Sequence, residues 1–209
     1  ALGGGCEILL HSDYVQAHIE SYIGLTEAAL GIIPAWGGCK ELLSRFKNQK
    51  EIAKGPMVAI IKTFELIGKA KVSTSAQEAI KLGYLRHNDG ITMNRNRLLF
   101  DAKMKAIKLS KNYTVPKKTT FRLPGKTSIL ALSLAINNLY KSGQISKYDK
   151  FIGETIAYVL SGGDTDINDE LTEENILKLE KNAIYELMSN NLTLERLEHI
   201  LETGKYLRN

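Results

Sequence analysis

The chain has 209 residues, enough for one ordinary domain with a hydrophobic core. With 44% hydrophobic residues, 24% charged residues and a net charge of +5, its composition is that of a globular protein. The longest apolar runs are too short to cross a bilayer, no secretory signal is visible, and the cysteines and histidines lack metal-ligand spacing.

A glycine-rich turn opens the chain. Residues 1–7 read Ala-Leu-Gly-Gly-Gly-Cys-Glu, and the apolar run after them predicts a short buried helix over residues 4–12. The first N–H groups of such a helix are unpaired donors, and they suit a developing negative charge. Glu7 stands beside this anion site and Glu27 follows twenty positions later. Taken alone, the motif favours a tight helix-packing turn with a surface glutamate; beside an anion site, two carboxylates can divide acid and base roles.

Short strands and helices follow this turn. Alternation of apolar and polar residues predicts strands, apolar residues at helical spacing predict helices, and Pro34 with the Gly37-Gly38 pair predicts a loop. Ser75 and Glu78 have the spacing of a capping box, and Gly83 suits the end of the helix that they begin. The predicted elements are strands over residues 14–19 and 21–24 and helices over residues 40–46, 57–67 and 76–83.

A basic helix is predicted over residues 93–109, with apolar residues on one stripe. Its basic side chains are not interleaved with stacking aromatic residues, so a solvated helix face is favoured over a nucleic-acid interface. They are Arg95, Arg97, Lys103, Lys105, Lys108 and Lys111.

The last part of the chain is predicted to be a helical tail, residues 126–209, joined by a linker over residues 113–125. Gly125-Lys126-Thr127 lacks the earlier glycine and the preceding strand of a phosphate-binding loop. The acidic run 164–170 lacks the central glycine and final glutamate of a calcium loop. Helices are predicted over residues 128–140, 147–160, 172–188 and 194–202.

Two blocks of the chain resemble the enoyl-CoA hydratase/isomerase (crotonase) superfamily. The first block, residues 1–46, contains Ala-Leu-Gly-Gly-Gly-Cys-Glu, then Gly-Leu-x-Glu, then Leu-Gly-Ile-Ile-Pro and a glycine pair. The second is residues 69–84. The resemblance implies an α/β, mostly helical fold: the C-terminal part of a crotonase-like β-β-α spiral over residues 1–112, followed by the helical tail.

The resemblance also implies a site and a reaction. The N–H of Gly4 holds the oxygen of a trans-2-enoyl-CoA thioester, with a second donor in a part of the fold that precedes residue 1. Glu7 activates the water that adds to C3, and Glu27 protonates C2. Ala35 stands at the water-positioning site, where the family often has glycine, so its methyl group puts the fit of the water in doubt. No metal and no cofactor are expected in this part.

The tail resembles one branch of bifunctional fatty-acid oxidation proteins, in which a 3-hydroxyacyl-CoA dehydrogenase region precedes the hydratase region. This implies NAD in an upstream part of the same polypeptide, an acyl-CoA substrate, a homo-oligomer and a bacterial cytoplasmic location. Cys6 and Cys39 fit the reduced state that such a location implies. Two rival interpretations remain: an enoyl-CoA isomerase of the same fold, and a non-catalytic helical assembly module.

Overall fold

The computed structural model of the chain describes residues 1–49, 53 and 55–209, and most of them are helical. The α-helices are α1 (Gly4–His11), α2 (Gly38–Asn48), α3 (Pro56–Gly68), α4 (Ala76–Leu82), α5 (Leu98–Ser110), α6 (Lys126–Lys141), α7 (Lys147–Leu160), α8 (Glu173–Met188) and α9 (Asn191–Thr203). Short 3-10 helices span Glu27–Leu30 and Arg95–Arg97. Among the described residues, no helix is both long and apolar enough to span a membrane.

The strands are short and pair across long sequence separations. They are β1 (Gln16–His18), β2 (Ile23–Gly24), β3 (Val72–Ser73) and β4 (Gly90–Thr92). β1 runs parallel to β4, with Ala17 opposite Ile91, and β2 runs antiparallel to β3, with Ile23 opposite Ser73. The strands predicted over residues 14–19 and 21–24 exist but are shorter, because only part of each finds a partner.

The ends of the tail helices follow their capping residues. Ser146 and Thr172 form reciprocal capping boxes at the start of α7 and α8, and Gly162 and Gly163 follow α7 with φ of 87° and 68°. The predicted bounds of α7 are therefore confirmed. α9 begins three residues before its predicted start, because the side chain of Asn190 accepts a hydrogen bond from Leu192 N–H and caps the helix.

The basic helix begins later than predicted. The 3-10 turn Arg95–Arg97 precedes α5, and the side chain of Asn94 accepts a hydrogen bond from Asn96 N–H at its start. None of the residues of α5 is buried, and Leu99 is 81% exposed. The predicted apolar stripe is therefore at most partly buried, although α5 packs against β1.

The tail packs directly on the first part of the chain. α7 packs against α3 and α6, and α8 packs against α2 and α7. Phe121, within the predicted linker, is buried and pairs with Leu171 in an isolated antiparallel bridge. One hydrophobic core includes residues of both parts, from Cys6 and Leu10 to Ile176 and Leu187.

Candidate active site

The glycine turn brings Gly3 against the side chain of Glu27. Gly3 has φ 53° and ψ −128°, a conformation that L side chains rarely adopt. A Cβ at this position would lie 3.3 Å from Glu27 Oε1. The next residue, Gly4, is exposed and begins α1, and its N–H makes no hydrogen bond to any described residue. The turn therefore presents a free backbone donor beside a carboxylate.

Glu7 is buried on the first turn of α2. Its side chain belongs to α1, yet its Oε1 accepts hydrogen bonds from the N–H groups of Trp36 (2.8 Å) and Gly38 (2.9 Å). The start of a helix stabilises a carboxylate, because its first N–H groups lack helical partners. A Cβ at Gly38 would lie 2.9 Å from Glu7 Oε1 and 2.6 Å from Pro34 Cβ, so only glycine leaves room for this contact.

Glu27 is the second buried carboxylate, and it begins the 3-10 helix Glu27–Leu30. Its Oε2 is buried with no hydrogen-bond partner among the described residues. The pKa of Glu27 is raised to about 7, mainly by burial; backbone hydrogen bonds oppose this rise, and the nearby charge of Glu7 adds to it. A carboxyl group with such a pKa can hold or release a proton near neutral pH.

The tail fixes the 3-10 helix that carries Glu27. This helix ends at Gly31 (φ 84°), whose carbonyl accepts a hydrogen bond of 2.8 Å from the hydroxyl of Thr193 on α9. Tyr148 lies 2.5 Å from the same hydroxyl. Arg196, also on α9, is 2% exposed and lies 2.8 Å from Asp149. A buried polar network in the tail therefore holds the backbone next to the carboxylate.

Ala35 lies between Pro34 and Trp36, next to the carboxylate of Glu7. It is half-buried, and its N–H makes no hydrogen bond within the part of the chain that the structure describes. Of the four residues selected from the sequence, Ala35 thus adjoins the backbone that holds Glu7, and Gly4 follows the glycine that contacts Glu27. Glu7 and Glu27 are close enough for the charge of Glu7 to raise the pKa of Glu27.

Both cysteines lie near enough to Glu7 and Glu27 for these charges to affect the pKa of each thiol. Both cysteines are free and buried, and burial raises the pKa of Cys6 to about 12, so its thiol stays protonated. Across residues 1–49, 53 and 55–209, no group of three or more His, Cys, Asp or Glu side chains could hold a metal ion. Among these residues, the carboxylates can transfer protons and the backbone N–H of Gly4 can stabilise negative charge.

One buried carboxylate beside the site was not predicted. Glu180 of α8 accepts hydrogen bonds from the N–H groups of Gly37 (2.7 Å) and Lys40 (2.8 Å). The sequence offers one indication of it, because Glu180 interrupts the buried face that Ile176, Ala183 and Leu187 form on this helix.

A change in the pH dependence of stability is expected when Glu27 is replaced. Glu27→Gln should raise the free energy of unfolding at pH 8 by about 3 kcal/mol and have a much smaller effect at pH 5. The folded carboxyl has a pKa near 7 against an ordinary value of 4.5, so the folded state binds more protons between these values. Its burial therefore costs stability progressively as the pH rises through this range.

Urea denaturation of the 209-residue chain at both pH values measures this effect. Glu20→Gln, at an exposed position, serves as the control. An equal gain at pH 5 and pH 8 in Glu27→Gln would contradict the assignment of a raised pKa to this carboxyl.

Comparison with solved structures defines the class of fold. The chain is similar to carnitinyl-CoA hydratase from Mycobacterium avium, with a TM-score of 0.55 and 16% identity over 99% of this chain and 57% of that one. It is also similar to an enoyl-CoA hydratase/isomerase from Pseudoalteromonas atlantica, with a TM-score of 0.54 and 12% identity over 100% of this chain and 60% of that one. The chain therefore has the crotonase fold, as the sequence predicted.

The names of two sequence relatives refer to a dehydrogenase and to a fatty-acid oxidation complex. The chain is 40% identical over all 209 residues to a probable 3-hydroxyacyl-CoA dehydrogenase of Bacillus subtilis, and covers 26% of that protein. It is 29% identical over 201 residues to a putative fatty acid oxidation complex trifunctional enzyme of Rickettsia prowazekii, and covers 25% of it. No protein-family model matches. The chain thus has the crotonase fold and is homologous to part of these proteins. It spans about a quarter of the length of the curated relatives that it matches.

Proposed function

We propose that this chain contributes the hydratase chemistry of fatty-acid β-oxidation, the addition of water to a trans-2-enoyl-CoA thioester to give 3-hydroxyacyl-CoA. The observation that carries the proposal is the pair of buried carboxylates, Glu7 and Glu27, beside a glycine turn with a free backbone donor. The crotonase fold and the names of the relatives are consistent with it.

Each residue has a role in the proposed reaction. The N–H of Gly4 donates to the thioester oxygen and stabilises the negative charge that forms there when water adds. Glu7, held by two backbone donors, takes a proton from the water whose oxygen bonds to C3. Glu27, whose raised pKa keeps a proton available near neutral pH, gives that proton to C2. Ala35 places its unbonded N–H beside the water.

The reaction adds water and changes no oxidation state overall, so it requires no redox cofactor. Its product, a 3-hydroxyacyl-CoA, is the compound that a 3-hydroxyacyl-CoA dehydrogenase oxidises. We therefore infer that the complete natural polypeptide also has dehydrogenase activity, with NAD bound outside residues 1–209. We also propose that the chain is divided into a crotonase-like part (residues 1–112), a linker (113–125) and a helical tail (126–209). The same proposal includes assembly as a homo-oligomer and a cytoplasmic location.

Assays of the complete natural polypeptide test this function. Hydration of crotonyl-CoA is expected, and conversion of a 3-enoyl-CoA to a 2-enoyl-CoA should be slower. Two carboxylates favour hydration, because one can activate the water while the other supplies the proton to C2, whereas a single carboxylate can carry a proton from C2 to C4 in isomerisation. Isomerisation without hydration would favour the isomerase. Wild-type rates in both Glu7→Gln and Glu27→Gln would favour a non-catalytic helical assembly module.

A further inference from the structure

Glu180, on the tail helix α8, lies beside the first turn of α2 although it is 143 residues from Gly37 in the sequence. Its side chain is fully buried. Oε2 accepts a hydrogen bond of 2.7 Å from Gly37 N–H, and Oε1 accepts one of 2.8 Å from Lys40 N–H. Both oxygens of this carboxylate are thus bonded to the backbone that starts the helix.

The same turn holds the carboxylate of Glu7. Donors alternate along it: the N–H groups of Trp36 and Gly38 point to Glu7, and those of Gly37 and Lys40 point to Glu180. Gly37 has φ 92°, and a Cβ there would lie 2.6 Å from the ring of His11. Without the tail, the N–H groups of Gly37 and Lys40 would lose Glu180 as their acceptor, and the turn would be less firmly fixed.

We propose that Glu180 is a positioning residue for Glu7. By binding Gly37 and Lys40, it fixes the turn so that the N–H groups of Trp36 and Gly38 keep the Glu7 carboxylate in place to activate water. This inference rests on the proposed hydratase function, and it gives the helical tail a role in the site. Glu180 itself does not touch the substrate.

Within the described part of the chain, the carboxylate of Glu180 is bound by backbone N–H groups and not by a cationic side chain. Burial raises the pKa of Glu180 to about 7, the two backbone hydrogen bonds oppose this, and the charge of Glu7 adds to the rise. Lys40 is the nearby cation, but its Nζ lies 2.5 Å from Glu41 and 3.4 Å from Glu173. The backbone donors, rather than an ion pair, are therefore the direct partners of this carboxylate.

Substitution of Glu180 in the complete natural polypeptide tests the inference. Glu180→Gln keeps the shape of the side chain but replaces one acceptor oxygen with an amide that cannot accept from a backbone N–H. We expect kcat for crotonyl-CoA hydration to fall about 10- to 100-fold, because Glu7 is no longer held in its reactive geometry. KM should change less than about twofold, since the thioester contacts remain. The control is Glu186→Gln, at an exposed position of the same helix, which should leave both constants unchanged.

Hydrogen exchange of the backbone amides gives a measurement independent of activity. Glu180→Gln should speed exchange at Gly37 and Lys40, and Glu186→Gln should not. If Glu180→Gln does not fold, Glu180→Asp, which keeps the charge but is one methylene shorter, should show the same losses to a smaller degree.

Wild-type kcat in the folded variant would overturn the inference, and so would a lower kcat with unchanged exchange at Gly37 and Lys40. Absence of hydration by the wild-type polypeptide would instead remove the proposed function. The exchange measurement would then still decide whether Glu180 holds the turn.

Discussion

Replacing Glu7 or Glu27 with glutamine in the complete natural polypeptide is expected to slow crotonyl-CoA hydration by about 10²- to 10⁴-fold. Glutamine keeps the shape of each side chain but can neither take a proton from water nor give one to C2. Because both groups act in one reaction, the double variant should be little slower than the slower single variant. Steady-state rates at saturating substrate measure the effect.

An exposed glutamate provides the control for these variants. Glu20→Gln, on the short connection between β1 and β2, should hydrate crotonyl-CoA at the wild-type rate. If Glu7→Gln and Glu27→Gln lose no more activity than this control, neither carboxylate transfers a proton in the reaction.

Gly3→Ala is expected to damage both stability and activity. The φ of 53° and ψ of −128° at Gly3 strain any L side chain, so the free energy of unfolding should fall by about 1–3 kcal/mol. The new Cβ would lie 3.3 Å from Glu27 Oε1, so either Glu27 or the turn that presents the Gly4 N–H must shift. A shift of this kind should lower kcat about 10- to 100-fold.

Gly5→Ala is the matched control, two positions further along the same turn. Gly5 is helical, and a Cβ there would meet nothing within 4 Å. Because alanine favours a helix over glycine, this variant should be more stable by up to about 1 kcal/mol. Denaturant unfolding and hydration rates compare the two; equal effects of both substitutions would show that the backbone of Gly3 has no special role.

Local features of the sequence predicted much of the fold. The caps at Ser146 and Thr172 and the glycines after α7 set helix ends that require no distant partner. The strands were harder to predict, because their lengths depend on pairing across more than 40 residues, as between β2 and β3. α9 starts earlier than its apolar pattern predicts, because Asn190 caps it before the first apolar residue of that pattern.

In the candidate site, too, the residues that are close in the sequence were predictable and the distant one was not. Gly4, Glu7, Glu27 and Ala35 lie in one short block of sequence, and their motif selected them together. Glu180 belongs to the distant tail, and the only local indication was a carboxylate on the buried face of an amphipathic helix. Its partners are backbone N–H groups, which leave no pattern of side chains in the sequence.

A crystal structure of the complete natural polypeptide with an unreactive acyl-CoA analogue tests the central claim most directly. The thioester oxygen is expected about 3 Å from the N–H of Gly4, with Glu7 and Glu27 on either side of the carbons that correspond to C2 and C3. A thioester bound away from this glycine turn, or one with the two carboxylates facing bulk solvent and no cleft between them, would contradict the account.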